Sequence, residues 1–319
     1  MPNVTVHLWL AERTLERWAL SPGLSPFPLS DLRSVRAFQQ GALGPDMGYF
    51  PGGLRYLSDL SHKVRSGALT RNLLAEARRP QELAFAWGWV THVLADRLIH
   101  PVVARGVGEL LTGDRSRSIS GEEDLPAHVR VETGMDAWIS ARNPHLATAG
   151  AASLAPLFRQ GDLAFLARAY MRTHGVSIPP ETLGDSYIRM LRMGCHALKT
   201  ISMLGRGRDE VSGEAGAWCQ AMGRVLPWLG SRRWPGVLAL SYLSPVDPAP
   251  WVQHELQTVA AEFPDRMMEV FRDPEAALPN VNLDTGRPDP WPVGPGVLPP
   301  TAWNTRGTVP APRSAVTEA

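Results

Sequence analysis

The segment Ala84 to Pro101, AFAWGWVTHVLADRLIHP, constrains this chain more than any other. Ala84 to Ala95 is nearly all apolar, so a helix here is buried on most sides. Yet His92, Asp96 and His100 recur through it at i, i+4 and i+8. At about 100° per residue, the three fan across about 80° of one helix face. A carboxylate buried in such a helix is costly unless it is paired or bound to metal. Imidazoles one turn above and below it suit a metal ion. A core histidine hydrogen-bonded to Asp96 would account for a lone histidine; three ionisable groups on one stripe favour a metal.

Other residues extend the pattern. HVRVE, His128 to Glu132, places a His/Glu pair at i, i+4, on one face near the start of a helix. Asp46 lies in GPDMGYFPGG, Gly44 to Gly53, a loop by its glycines and prolines. His62 sits in SDLSHK and His7 in the apolar VTVHLWL. Each of these taken alone reads as structural: a turn aspartate, a surface pair, a core histidine. Together they run His, Asp, His, His, Asp, His, His, Glu, all nitrogen and oxygen donors, a set suited to multinuclear zinc. Cys195 and Cys219 belong to no CxxC pair, which excludes cysteine-ligated zinc. His145, His174, His196 and His254 show no partner spacing and read as core or surface residues.

Apolar spacing is helical almost throughout, so the expected class is all-α: a multi-helix bundle with an irregular Pro-rich tail. Helices are expected over Val4–Leu20, from a Ser30 cap to about Leu43, and near Leu54–Arg65 and Leu69–Ala77. A long helix opens at Pro80 and ends at Pro101. Further helices open at Pro126, to about Ser140, and span Ala152–Arg172, Pro180–Leu204, Gly213–Leu229 and Ala249–Arg272. Nine prolines in the last 41 residues forbid regular structure there, so 1–286 is expected to form the domain and 287–319 the tail. Formal net charge is +1, which predicts no strong field for nucleic acid or anionic membrane. Met1 to Ala19 is interrupted by charge and lacks a signal-peptide pattern, and no apolar run reaches the ~18 residues of a membrane span. These features read as cytoplasmic.

The order and most spacings resemble the bacterial zinc-dependent phospholipase C family, over about residues 1–140. GALGPDMGYF, Gly41 to Phe50, looks like that family's loop with the catalytic aspartate. The H-x3-D-x3-H and H-x3-E elements are similar to its helical ligands, the first being two residues shorter than in the best-known members. NVNLDTG, Asn280 to Gly286, resembles a stretch seen in bacterial relatives. The resemblance implies two to three zinc ions. Asp46, His62, His92 and Asp96 would hold the first, and His100, His128 and Glu132 the second. His7 would hold the third, with Asp96 as bridge. In the family that third ion also takes an N-terminal tryptophan, where this sequence has Met1-Pro2-Asn3.

The implied activity is hydrolysis of a phospholipid, or a related phosphodiester, by metal-activated water, with transient contact at a membrane surface. Asp46 would act as base, and Tyr49 and Phe50 would line the substrate pocket. Met47 stands where the family's choline pocket has an aromatic, so choline preference is not implied. Fungal single-strand nucleases share the fold and ligand order, which keeps cleavage of single-stranded nucleic acid or nucleotides as an alternative. A zinc-stabilised scaffold without turnover is the other.

Overall fold

The structure is a computed structural model and describes residues 4–159, 161–209 and 244–288. Within these, eleven α-helices follow in order, with no strand among the described residues. They are α1 (Val4–Leu20), α2 (Leu32–Gly41), α3 (Arg55–Lys63), α4 (Ser66–Glu76), α5 (Pro80–Thr112) and α6 (Leu125–Arg142). Then come α7 (His145–Ser153), α8 (Ala164–His174), α9 (Pro180–Asp209), α10 (Pro250–Arg272) and the short α11 (Pro274–Ala277). The all-α class inferred from apolar spacing is what the fold shows. The expected helix Gly213–Leu229, Cys219 and the tail from residue 289 lie outside the described residues, as does the chain start at Met1-Pro2-Asn3.

Helix α5 is the axis of the bundle, packing against α1, α2, α4, α6 and α10. Pro80 opens it as expected, and the Glu82 carboxylate accepts from the backbone N–H of Arg78 at 2.8 Å and of Arg79 at 3.0 Å. Pro101 does not end it. The helix runs through that proline to Thr112 and closes on Gly113, whose φ is +74°. Pro101 lacks the N–H that would bond the Arg97 carbonyl, and its ring is exposed. The residues beyond it, Val102, Val103 and Val107, are buried, and their packing outweighs the lost hydrogen bond.

Two other expectations give way to local chemistry. Helix α2 is capped by Asp31 rather than Ser30: its carboxylate accepts from Arg33 N at 3.0 Å, from Ser34 Oγ at 2.7 Å and from Gln81 Nε2 at 2.8 Å. The continuous helix expected over Ala152–Arg172 is broken between α7 and α8, where Pro156 and Gly161 fall.

Helices α2 and α5 cross backbone against backbone. A Cβ on Gly88 would lie 1.9 Å from the Phe38 carbonyl oxygen, and one on Gly41 2.0 Å from that of Phe85. The crossing brings the Ala42 carbonyl within 2.9 Å of His92 Nδ1. Gly88→Ala is therefore expected to push α2 away, costing about 1–3 kcal/mol or more of stability. Chemical denaturation measures this; an unchanged midpoint would show that the crossing has slack.

Candidate metal centre

The eight candidate ligands come from five elements. His7 lies at the end of the first turn of α1. Asp46 sits in a 3-10 turn, Gly44–Gly48, inside the expected loop, and His62 lies in the last turn of α3. His92, Asp96 and His100 descend one face of α5, and His128 and Glu132 stand in the first turns of α6. All eight are buried, from His92 at 0% exposure to His100 at 9%. Their ligand atoms form three trios, each within 4.8 Å: His7–His92–Asp96, Asp46–His62–His92 and His100–His128–Glu132. His92 joins the first two, and its ring stacks on that of His7 with centroids 3.9 Å apart.

Asp96 is the hub. Its Oδ1 lies 3.3 Å from His7 Nε2 and 3.7 Å from His100 Nε2. Its Oδ2 lies 3.3 Å from His62 Nε2 and 3.2 Å from His92 Nε2. Asp46 Oδ1 is 3.3 Å from His62 Nε2 and 4.0 Å from His92 Nε2. Glu132 Oε1 is 3.1 Å from His128 Nε2 and 3.6 Å from His100 Nε2.

Three of the histidines are oriented by backbone carbonyls. His62 Nδ1 meets Ser58 O at 2.8 Å, His92 Nδ1 meets Ala42 O at 2.9 Å, and His100 Nδ1 meets Leu283 O at 2.7 Å. A carbonyl only accepts, so each Nδ1 carries a proton and each ring turns Nε2 inward. The Nε2 atoms of His62 and His92 then stand 3.2 Å apart, facing carboxylates. Such a cage repels itself unless a cation fills it. Tetrahedral zinc at about 2.0–2.1 Å from nitrogen or oxygen sets neighbouring donor atoms roughly 3.3–3.4 Å apart. Most of the separations above fall close to that edge length. Glu132 Oε2 is buried with no hydrogen-bond partner among the described residues, as a metal-binding oxygen would be. The residues present therefore fit zinc.

Without a metal, protons are the cations on hand. Burial opposes charge on His100, but Asp96 and Glu132 outweigh it and raise its pKa to about 10. Burial likewise opposes charge on His62, and the hydrogen bonds to Asp46 and Asp96 carry it well above the histidine range. Burial opposes ionisation of Glu132, yet His128 and His100 hold it below its ordinary value. Burial, reinforced by His92, lowers His7 to about 3, leaving it neutral and ready to ligate.

Tyr49 donates to Asp59 Oδ1 at 3.2 Å, and its ring lies 5.2 Å from that of His62. Phe50 is buried in the apolar core. His145 is exposed and pairs with Glu12 at 2.9 Å, His174 is buried, and His196 and His254 are exposed. None of these four joins a trio.

A further acidic residue continues the α6 spacing past Glu132. Asp136 is the third member of an i, i+4, i+8 stripe with His128 and Glu132. Its buried carboxylate accepts from the backbone N–H of Thr5 at 3.2 Å and of Val6 at 2.9 Å. These are first-turn donors of α1, which lack helical partners. Asp136 thus docks the start of α1 on α6 and sets His7, the next residue, against Asp96.

The sign of the pH dependence follows from these shifts. In zinc-free protein the His100 contribution is full below its ordinary 6.5 and is lost as pH rises toward about 10. The Glu132 contribution is present above its ordinary 4.5 and is lost as pH falls. Zinc must displace the histidine protons, so its binding strengthens as pH rises. The stability advantage of zinc-loaded over chelator-treated protein should widen from pH 6.5 toward about 10. Thermal melts of both forms across that range check it, and a shrinking advantage would contradict the cage.

Comparison with known proteins agrees with this geometry. No curated protein and no solved structure matches the chain. The model of the zinc dependent phospholipase C family matches residues 6–173, more than half of the chain and a span that holds all eight buried donors. The chain belongs to the zinc dependent phospholipase C family.

Proposed function

We propose that this protein is a zinc-dependent phosphodiester hydrolase that cleaves a phospholipid or a closely related phosphoester with water. The observation that carries this reading is the cage itself: buried nitrogen and oxygen donors, no thiolate among them, spaced at the edges of zinc polyhedra around a shared carboxylate. Two to three zinc ions match the three trios. When bound, zinc supplies Lewis acidity that lowers the pKa of water and offsets charge gathering on phosphorus.

The protein's own groups do the rest. Asp46 enters from a short turn, off the rigid helices, and orients the attacking water as its general base. The water oxygen bonds to phosphorus, the bond from phosphorus to the leaving oxygen breaks, and the proton taken by Asp46 is available to the leaving alkoxide. Tyr49, whose ring lies 5.2 Å from that of His62, would border the substrate. None of the described helices is long and apolar enough to cross a membrane, so lipid would be met by transient surface contact. The nuclease alternative wants aromatic stacking platforms. Trp9, Trp18, Trp87 and Trp89 are buried, and the partly buried Trp138 and Trp251 each carry an arginine over the ring. The described tryptophans therefore lend the nuclease reading no support.

Two variants separate the roles. Asp46→Asn should cut turnover on phosphodiesters by roughly 10²–10⁴ while zinc content falls little. Asp96→Asn should lower zinc content and melting temperature together, because Asp96 faces four histidines and metal binding is coupled to folding. Zinc analysis, melting and rates on phospholipid and single-stranded DNA measure both. An Asp46→Asn enzyme of full activity would remove Asp46 as base, and a wild type inert on every phosphodiester would favour a zinc-stabilised scaffold.

A further inference from the structure

The segment after α11 lies more than a hundred residues beyond the family match, yet it touches the metal centre twice through one residue. The Leu283 carbonyl accepts from His100 Nδ1 at 2.7 Å, and the Leu283 N–H donates to the His62 carbonyl at 2.7 Å. The next residue, Asp284, reaches the Lys63 ammonium at 3.5 Å. One short stretch therefore grips α3 and α5 at the points where each presents a donor.

The stretch is built to hold that position. Asn282 Oδ1 accepts from the backbone N–H of Asp284 at 2.9 Å and of Thr285 at 3.2 Å, closing an Asx turn. Gly286, at φ +69°, returns its N–H to the Asn282 carbonyl at 2.7 Å, and Asn282 N–H donates to Arg287 O at 2.9 Å. The arm leading into the turn is fastened to the start of α4. Ser66 Oγ donates to Val281 O at 2.6 Å, and Asn280 Oδ1 accepts from Ala68 N–H at 2.8 Å. Gly67 lets the arm lie flush: a Cβ there would stand 2.1 Å from the Leu278 carbonyl oxygen. The side chain of Leu283 is itself buried, at 1% exposure.

We infer that the turn Asn280–Gly286 is a positioning clasp of the metal centre, in which the Leu283 carbonyl fixes His100 with Nε2 toward Glu132 and His128. The inference rests on the zinc reading of the site. The second partner of a metal-binding histidine sets its tautomer and ring orientation, and loss of such a partner typically costs about 10–100-fold in metal affinity. Here that partner is a backbone group, held by a turn rather than by any conspicuous side chain. The clasp serves the His100–His128–Glu132 trio most directly, so its loss should weaken one ion and spare the others.

The test uses the full chain loaded with zinc. Asn282→Ala opens the Asx turn, and Gly67→Ala lifts the arm off α4 without touching the turn. Each should release one zinc to a competing chelator about 10–100-fold more readily than wild type, the remaining ions staying put. In zinc-loaded wild type the His100 Nδ1 proton should give a protected, downfield NMR resonance, and both variants should lose it. Asn282→Asp, which keeps the acceptor oxygen, should restore both readouts. Unchanged chelator competition and an unchanged resonance in both variants would overturn the clasp while leaving the zinc reading intact. Equal weakening of every ion, or collapse of the helical signal in both variants, would make the segment ordinary core and also overturn it. A wild type that takes up no zinc would sink the zinc reading and the clasp together.

Discussion

Asp96 is the constraint around which this bundle is arranged. An ionised carboxylate at 2% exposure, halfway along an apolar helix, would be driven to protonate unless cations meet it. Burial alone would raise its pKa, yet His92 and His100 hold it well below the carboxylate range. His7, His62, His92 and His100 all approach within 3.7 Å, from three different helices. Pairing with histidine solves half of the problem, because most of those rings are committed through Nδ1 to backbone carbonyls. Zinc would solve the other half, since it can take inward lone pairs from rings and carboxylates together.

The rest of the fold works to bring those lone pairs to one place. Gly41 and Gly88 let α2 press on α5 so that Ala42 can orient His92. Asp136 binds the first turn of α1 and so places His7. Ser58 Oγ holds the N–H of Gly48, which steadies the turn bearing Asp46, while the Ser58 carbonyl orients His62. Stability and site geometry therefore share residues, and disturbing a helix crossing should be felt at the metal centre.

How much of this was legible in the sequence depended on whether the signal was local. The i, i+4, i+8 stripe needs only helical periodicity, so His92, Asp96 and His100 stand out before any tertiary structure is considered, while the i, i+4 pair His128/Glu132 is a weaker local signal. His7, Asp46 and His62 carry no local signature; their joint order and its resemblance to a family pointed to them, and the fold brings them beside Asp96. Pro101 misled because its local tendency to stop a helix was outweighed by burial of Val102, Val103 and Val107 beyond it. Ser30 lost its capping role to the stronger acceptor Asp31 one residue on. Asp136 continues the His128/Glu132 stripe in sequence, but spacing does not distinguish a helix-docking carboxylate from a ligand. The carbonyls of Ala42, Ser58 and Leu283 could not have been read, because a backbone group's partner is chosen by tertiary packing alone.

If the buried cage holds zinc, diffraction can see the ions. Crystals of zinc-loaded protein measured on either side of the zinc absorption edge locate each ion by its anomalous signal. Two to three peaks are expected, lying among His7, His92 and Asp96, among Asp46, His62 and His92, and among His100, His128 and Glu132. Their bonds should be to nitrogen and oxygen at about 2.0–2.2 Å. A well-ordered crystal grown in zinc, with no anomalous peak within reach of Asp96, would contradict the zinc reading.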